Sequence, residues 1–350
     1  MNVKKKIRRI RAGILVCFLC LLAANALAGR KSHGDWKTDP IDNTYNVEHY
    51  RYTRGQNRDV RTYFLKDYDY SFLEDVAIPG MPDTKDEDVK QSHIFSSAQC
   101  PQGICLTDDY ILITAYSDEA NCKGELMVID RESGTYLVTL GMDANSHLGG
   151  IAFDGENVWV CNSAEETVER ISYDVISLMA AQNQGKVLDA TAVVDSYEVK
   201  NTPSCITYAQ GRLWIATHTK YFSSKLVAYH YDHRNEDLSV LSEYRIPAKV
   251  QGICFDEEDG VYLSTSYGRR SSSYLKVYDS IVALSAHPKT PKYRIEMPPC
   301  SEELDCADGM LYILFESAGE KYYLGTDGKG NSVSPLDRIL CLPVNDRTGS

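Results

Sequence analysis

The chain has 350 residues, a formal charge of −12 at pH 7 and 43% hydrophobic residues. That is enough apolar material for a sizeable core. The acidic balance disfavours nucleic acid and anionic membrane surfaces as partners and leaves cations, cationic peptides and neutral small ligands as the easier ones.

Residues 1–11 carry six Lys/Arg, residues 12–22 are almost wholly apolar, and Ala26-Leu27-Ala28 puts small residues where a signal peptidase reads. This is the order of a secretory signal. The apolar run is shorter than the roughly 20 residues of a membrane span. Residues 1–28 are therefore read as a signal peptide, with a retained anchor as the alternative, and the protein as secreted or held in the cell envelope without stable membrane insertion. Cleavage takes the six basic residues away and the charge falls from −12 to −18. Residues 29–60 are polar and aperiodic, as in a flexible lead.

Beyond residue 60 the chain repeats itself. A short lead-in opens each unit: Gln102-Gly103-Ile104, Gly149-Gly150-Ile151, Ser204-Cys205-Ile206, Gln251-Gly252-Ile253 and Glu302-Glu303-Leu304. The middle residues lie 47, 55, 47 and 51 apart. After each lead-in come a turn and a β-rich segment, at 110–116, 157–163, 212–218, 260–266 and 310–317, then a third such segment. A fourth follows most of them, as at 135–140 and 243–246. Four short strands at a pitch of about 40–50 residues mark β-propeller blades. The fold class is all-β: a five-bladed propeller, one domain over residues 61–350. The third strand of the last unit nearly reaches the C-terminus, so the early segment 73–79 (LEDVAIP) is expected to supply the missing fourth strand and remove a free edge. Residues 173–184 read as one short amphipathic helix inserted in the second unit, with Val175, Leu178 and Met179 on its apolar face. Residues 325–334 read as a long surface loop. Within it, Asp327 to Asn331 resembles part of a calcium loop but lacks the remaining acidic ligands, so calcium is the only cofactor the residues suggest and no metal site is assigned.

Nine cysteines follow residue 28. Cys105 and Cys254 share a repeat position held by Ala152 and Thr207 in other units, which points to buried packing residues. An oxidising compartment permits disulfides, but spacing does not give their connectivity.

In a propeller the lead-ins ring one mouth of the central channel. The residues expected there are Gln102, His147, Ser204, Gln251, Glu302 and Glu303, with Tyr116, Asn162, His218, Tyr267 and Glu316 from the ends of the second strands. Glu302, Glu303 and Glu316 are the acid/base candidates. Gathered carboxylates repel unless a cation, a basic residue or a shared proton relieves them. Arg269 is the basic residue expected nearby. No nucleophile elbow, Ser/His/Asp set or Gly-rich phosphate loop is present.

Gln251-Gly252-Ile253 followed by residues 263–272 (LSTSYGRRSS) resembles a blade motif of plant-type glutamine cyclotransferases, although Leu263 stands where that motif is acidic. The segment 300–304 (CSEEL) is similar to their Glu-containing lead-in to a later blade. The resemblance implies a secreted five-bladed propeller that closes N-terminal glutamine into pyroglutamate. Over residues 101–344 the chain is also similar to secreted bacterial propellers without an assigned activity, on the 266–269 (SYGR), 314–317 (LFES) and 335–338 (PLDR) segments. Three readings stay open. The first is an exported propeller binding a small molecule, peptide or protein at the channel mouth. The second is a cyclotransferase-like or lactonase-like enzyme using the mouth carboxylates. The third is a cell-envelope scaffold.

Overall fold

The structure is a computed structural model that describes residues 64–344 apart from 66, 78–98, 117–122, 143–145, 318 and 324; the signal peptide and flexible lead expected at 1–60 lie outside the described residues. Strand β1 (Ser71–Ala77) comes first. Blade one follows as β2 (Cys100–Leu106), β3 (Tyr110–Tyr116), β4 (Glu125–Asp130) and β5 (Tyr136–Gly141). Blade two is β6 (Ile151–Phe153), β7 (Asn157–Asn162), β8 (Thr167–Ser172) and, after β9 (Lys186–Asp189), β10 (Asp195–Glu198). Blade three is β11 (Cys205–Ala209), β12 (Arg212–Ala216), β13 (Ser224–Asp232) and β14 (Asp237–Ile246). Blade four is β15 (Val250–Phe255), β16 (Val261–Thr265), β17 (Ser273–Tyr278) and β18 (Tyr293–Met297). The last blade has β19 (Ser301–Ala307), β20 (Met310–Phe315) and β21 (Arg338–Pro343), and β1 adds to it antiparallel to β21. Five sheets thus form a five-bladed propeller closed by the N-terminal strand. The inner strands β2, β6, β11, β15 and β19 each contact the next, and β19 contacts β2, so the ring is closed.

Local chemistry sets each blade. In blades two and four the turn after the inner strand is an Asx turn. Asp154 Oδ1 accepts from the amides of Glu156 (2.9 Å) and Asn157 (2.6 Å), and Asp256 Oδ1 from those of Glu258 (3.0 Å) and Gly260 (2.7 Å). The other oxygen of each aspartate takes a buried aromatic donor from the second strand: Trp159 Nε1 at 2.8 Å and Tyr262 OH at 2.8 Å. These acidic turns therefore satisfy the polar ends of the rings that fill the space between blades, as a buried indole or phenol requires. Apolar clusters occupy each blade boundary, for example Ile104, Ile113, Leu314 and Ile339 between blades five and one.

Two features depart from the sequence reading. The inserted helix, α1 (Tyr173–Gln182), buries Val175, Ile176, Met179 and Ala180, while Leu178 is only half-buried. After it, β9 joins blade one as a fifth strand, parallel to β5. A parallel neighbour needs a crossover of this length, and α1 supplies it. Among the described residues there are two shorter α-helices besides α1, α2 (Ile281–Ala286) and α3 (Glu320–Tyr323).

All eight cysteines among the described residues are free thiols. Cys105 and Cys254 are buried on β2 and β15, and burial pushes both thiols well up.

Candidate functional site

At three lead-ins the ladder between the inner and second strands slips, between Pro101 and Gly103, between Val250 and Gly252, and between Ser301 and Leu304. A bulge re-aims the side chain of its extra residue. The residues at these slips are Gln102, Gln251 and the Glu302-Glu303 pair. Gln102 Nε2 donates to Glu316 Oε2 at 2.9 Å, and Gln251 Nε2 donates to Glu302 Oε1 at 3.0 Å. Each of these bonds crosses a blade boundary.

Glu302 and Glu316 are hydrogen-bonded to each other and are 3% and 9% exposed. Burial holds both carboxyls above the usual carboxylate range, and for Glu302 the neighbouring Glu316 raises it further. Glu316 also accepts from Tyr322, lies near Lys321 and is bonded by Gln102. Those interactions favour charge on Glu316 and the shared proton on Glu302. Repulsion between the two is thus relieved by a proton and by Lys321. Arg269, the cation expected from sequence, does something else. It donates to Asp327 Oδ1 (2.8 Å), to the Lys321 carbonyl (2.9 Å) and to the Gly330 carbonyl (2.7 Å), and its guanidinium lies 4.5 Å from the Tyr322 ring centroid. It staples the 319–334 segment across blade four. Asp327, the first residue of the calcium-loop-like run, is held low in pKa by Arg269.

Glu303 turns into the channel. Its Oε2 accepts from the Ile104 amide (3.2 Å) and the Ile151 amide (2.8 Å), and its Oε1 from the Ile206 amide (3.2 Å). One side chain from blade five thereby ties the inner strands of blades one, two and three. It is 1% exposed. A Cβ at Gly103 would lie 3.0 Å from Glu303 Oε2, and one at Gly150 would lie 2.7 Å from Oε1. The glycines of these lead-ins leave the space that this carboxylate fills. The sequence reading sets Glu303 beside Glu302 at the mouth. The irregularity between Ser301 and Leu304 aims the two glutamates differently, and Glu303 is the channel plug instead.

The remaining mouth residues divide in two. His218 bonds Gln251, its Nδ1 lies 3.2 Å from the Val250 carbonyl oxygen, and its amide donates to Ser204 Oγ at 3.0 Å; burial lowers its pKa. Tyr116 takes a bond from Lys321 and meets the His147 ring edge-on at 4.0 Å between centroids. These contacts extend the glutamate pair into a polar network drawn from blades one, three, four and five. Asn162 is turned away, donating to Glu169 of its own blade at 2.9 Å. Tyr267 is 38% exposed and packs against Lys249, whose Nζ is 4.6 Å from its ring centroid, and Tyr221. Lys321 and Tyr322 were missed by sequence reasoning, because the 319–334 segment reads as surface loop. The only signal was its aromatic-basic start, residues 321–323 (KYY), in an otherwise Gly/Asp/Ser-rich stretch.

No protein-family profile matches the chain, and no curated protein matches it in sequence. Solved structures do. One is a nidogen/laminin complex, at 14% identity and a TM-score of 0.39, over 68% of this chain and 83% of that one. Another is the hydrazine synthase of Kuenenia stuttgartiensis, at 9% and 0.36, over 63% and 57%. A third is the glutaminyl cyclase of Myxococcus xanthus, at 10% and 0.39, over 71% and 93%.

Proposed function

We propose that this propeller binds a small polar ligand bearing an amine or amide at the channel mouth, seated on the Glu302–Glu316 pair. The observation that carries the reading is that hydrogen-bonded carboxyl pair, buried and supplied with amide donors from two other blades. An acid–carboxylate pair both donates and accepts, and Gln251, Ser204 and His218 are half-buried groups beside it that a ligand can reach. The ligand is a free small molecule or the N-terminus of a peptide or protein. The order of residues 1–28 supports action outside the cytoplasm; Gly29 is then the first residue of the purified native protein by N-terminal sequencing.

A second reading rests on the raised pKa of Glu302 beside Glu316, since a carboxyl that burial holds above the ordinary range keeps its proton to higher pH and is suited to general acid work. In that reading Glu302 protonates a leaving amine and Glu316 accepts a proton from the attacking group, as a cyclotransferase requires. Titration calorimetry with glutamine-headed and other amine-bearing peptides and with calcium, alongside a pyroglutamate assay, separates the readings. Peptide binding that weakens about tenfold or more in Glu316→Gln, with no product, supports binding alone. Product formed by the wild type and lost in Glu302→Gln supports the enzyme. Absence of binding and product in every form sinks both and leaves a scaffold.

A further inference from the structure

A second concave site lies outward from the mouth, on blade four. It is a cavity of 380 Å³ lined by Lys249, Lys276, Lys289 and Arg294 and by hydroxyl side chains that include Ser266, Ser271 and Tyr274. The protein as a whole has an excess of 12 negative charges, yet no carboxylate lines this cavity. Glu296 reaches only Ser272 at its margin. None of the four cations forms an ion pair among the described residues. Arg294 lies 3.7 Å from the Tyr274 ring centroid, and Lys249 stacks on Tyr267. Lys276 is half-buried, and its pKa is lowered by burial and by the charges of Arg294 and Lys249. Four unpaired cations around one cavity repel each other, and a bound anion removes that cost.

We infer that this cavity is a binding site for a small organic polyanion, one carrying at least two phosphate or carboxylate groups on a hydroxyl-bearing frame. Charge-assisted bonds from Lys276 and Arg294 suit oxyanions, and Arg294 offers a planar fork for one of them. The serine and tyrosine hydroxyls give or take bonds from sugar-like hydroxyls. The volume suits a ligand of this size. A single charge would leave most of the repulsion in place, which is why two anionic groups are required.

The test uses the full mature chain at low ionic strength, where exposed cations are least screened. Inorganic pyrophosphate and citrate stand for the two sources of oxyanion, and sucrose is the neutral control. At saturating anion the melting temperature is expected to rise by roughly 2–4 °C, with heat of binding that fades as sodium chloride is added. Sucrose gives no effect. The stronger of the two anions identifies phosphate or carboxylate as the preferred group. Lys276→Gln and Arg294→Gln each weaken the anion about tenfold or more. Lys289→Gln, an exposed residue with no packing role, keeps the anion-free melting temperature and also weakens binding. Neither anion shifting the melt, or binding that persists in a Lys276→Gln/Arg294→Gln double variant, overturns the proposal.

Discussion

Glu303 shows how one side chain sets a local sequence pattern. Its carboxylate stands on the channel axis and accepts three backbone amides from three other blades. Removing it leaves three buried donors without a partner, each worth about 1–3 kcal/mol. Glu303→Ala is therefore expected to lower stability by about 3 kcal/mol or more in denaturant melts, and a loss below about 1 kcal/mol would contradict the plug. Glu302 makes a different prediction. Its carboxyl is held above the ordinary range in the fold, so the native state keeps a proton that the unfolded chain releases. Its contribution to stability is complete below the ordinary carboxylate pKa and is lost as pH rises through the folded-state pKa. The melting temperature should fall as pH rises above the ordinary carboxylate range, and less steeply in Glu302→Gln. Cys254 adds a third case. It is 1% exposed but contacts Cys306, which is half-buried. Alkylation without denaturant should reach Cys306 and spare Cys105 and Cys254. Cys254→Ser should cost about 1 kcal/mol, at the low end for a buried hydroxyl, because Cys306 offers it a neighbour.

Among the elements, β1 has the largest consequence per residue. It pairs with β21 through Ser71–Cys341 and Phe72–Leu340, then slips before Ala77–Arg338. Val76 is buried between blades five and one, and Leu65, just before the strand, is buried against blade four and the last blade. Full burial of these two side chains alone is worth about 3–6 kcal/mol. Deleting residues 29–80 should therefore lower the melting temperature severely, whereas deleting 29–57 spares every described residue and should leave it nearly unchanged. Equal melting temperatures for the two truncations and the chain from residue 29 would refute the closure. The 319–334 segment is the element that converts a plain channel mouth into a covered one. It brings Lys321 and Tyr322 to Glu316, and Arg269 holds it in place. Arg269→Ala should thus change ligand affinity at the mouth without touching a glutamate.

Over the whole molecule the ring has no free end, since β19 contacts β2 and β1 shields β21. Melts followed by backbone and by aromatic signals should coincide for the chain from residue 29. In the chain truncated to residue 80 they should separate, because an open ring lets the outer blades loosen before the middle ones. The charge distribution belongs to this scale too. The net charge is strongly negative, yet every charged side chain lining the blade-four cavity is cationic.

Repeat spacing was enough to read the five blades, their strand order and an early closing strand, expected at 73–79 and found at Ser71–Ala77. Those follow from short apolar runs and turn chemistry, which are local properties written every 47–55 residues. The sequence also named Glu302, Gln102, Gln251 and Glu316 as mouth residues, because inner-strand starts and second-strand ends must converge in any propeller. It did not separate Glu302 from Glu303. A bulge decides which of two adjacent carboxylates faces the mouth and which the axis, and bulges are set by the fit of neighbouring strands. Nor did it foresee β9 on blade one, Lys321 as the cation beside Glu316, or Arg269 on Asp327. Each depends on where a loop lands after the ring has closed, and that position is fixed by packing between segments far apart in the chain.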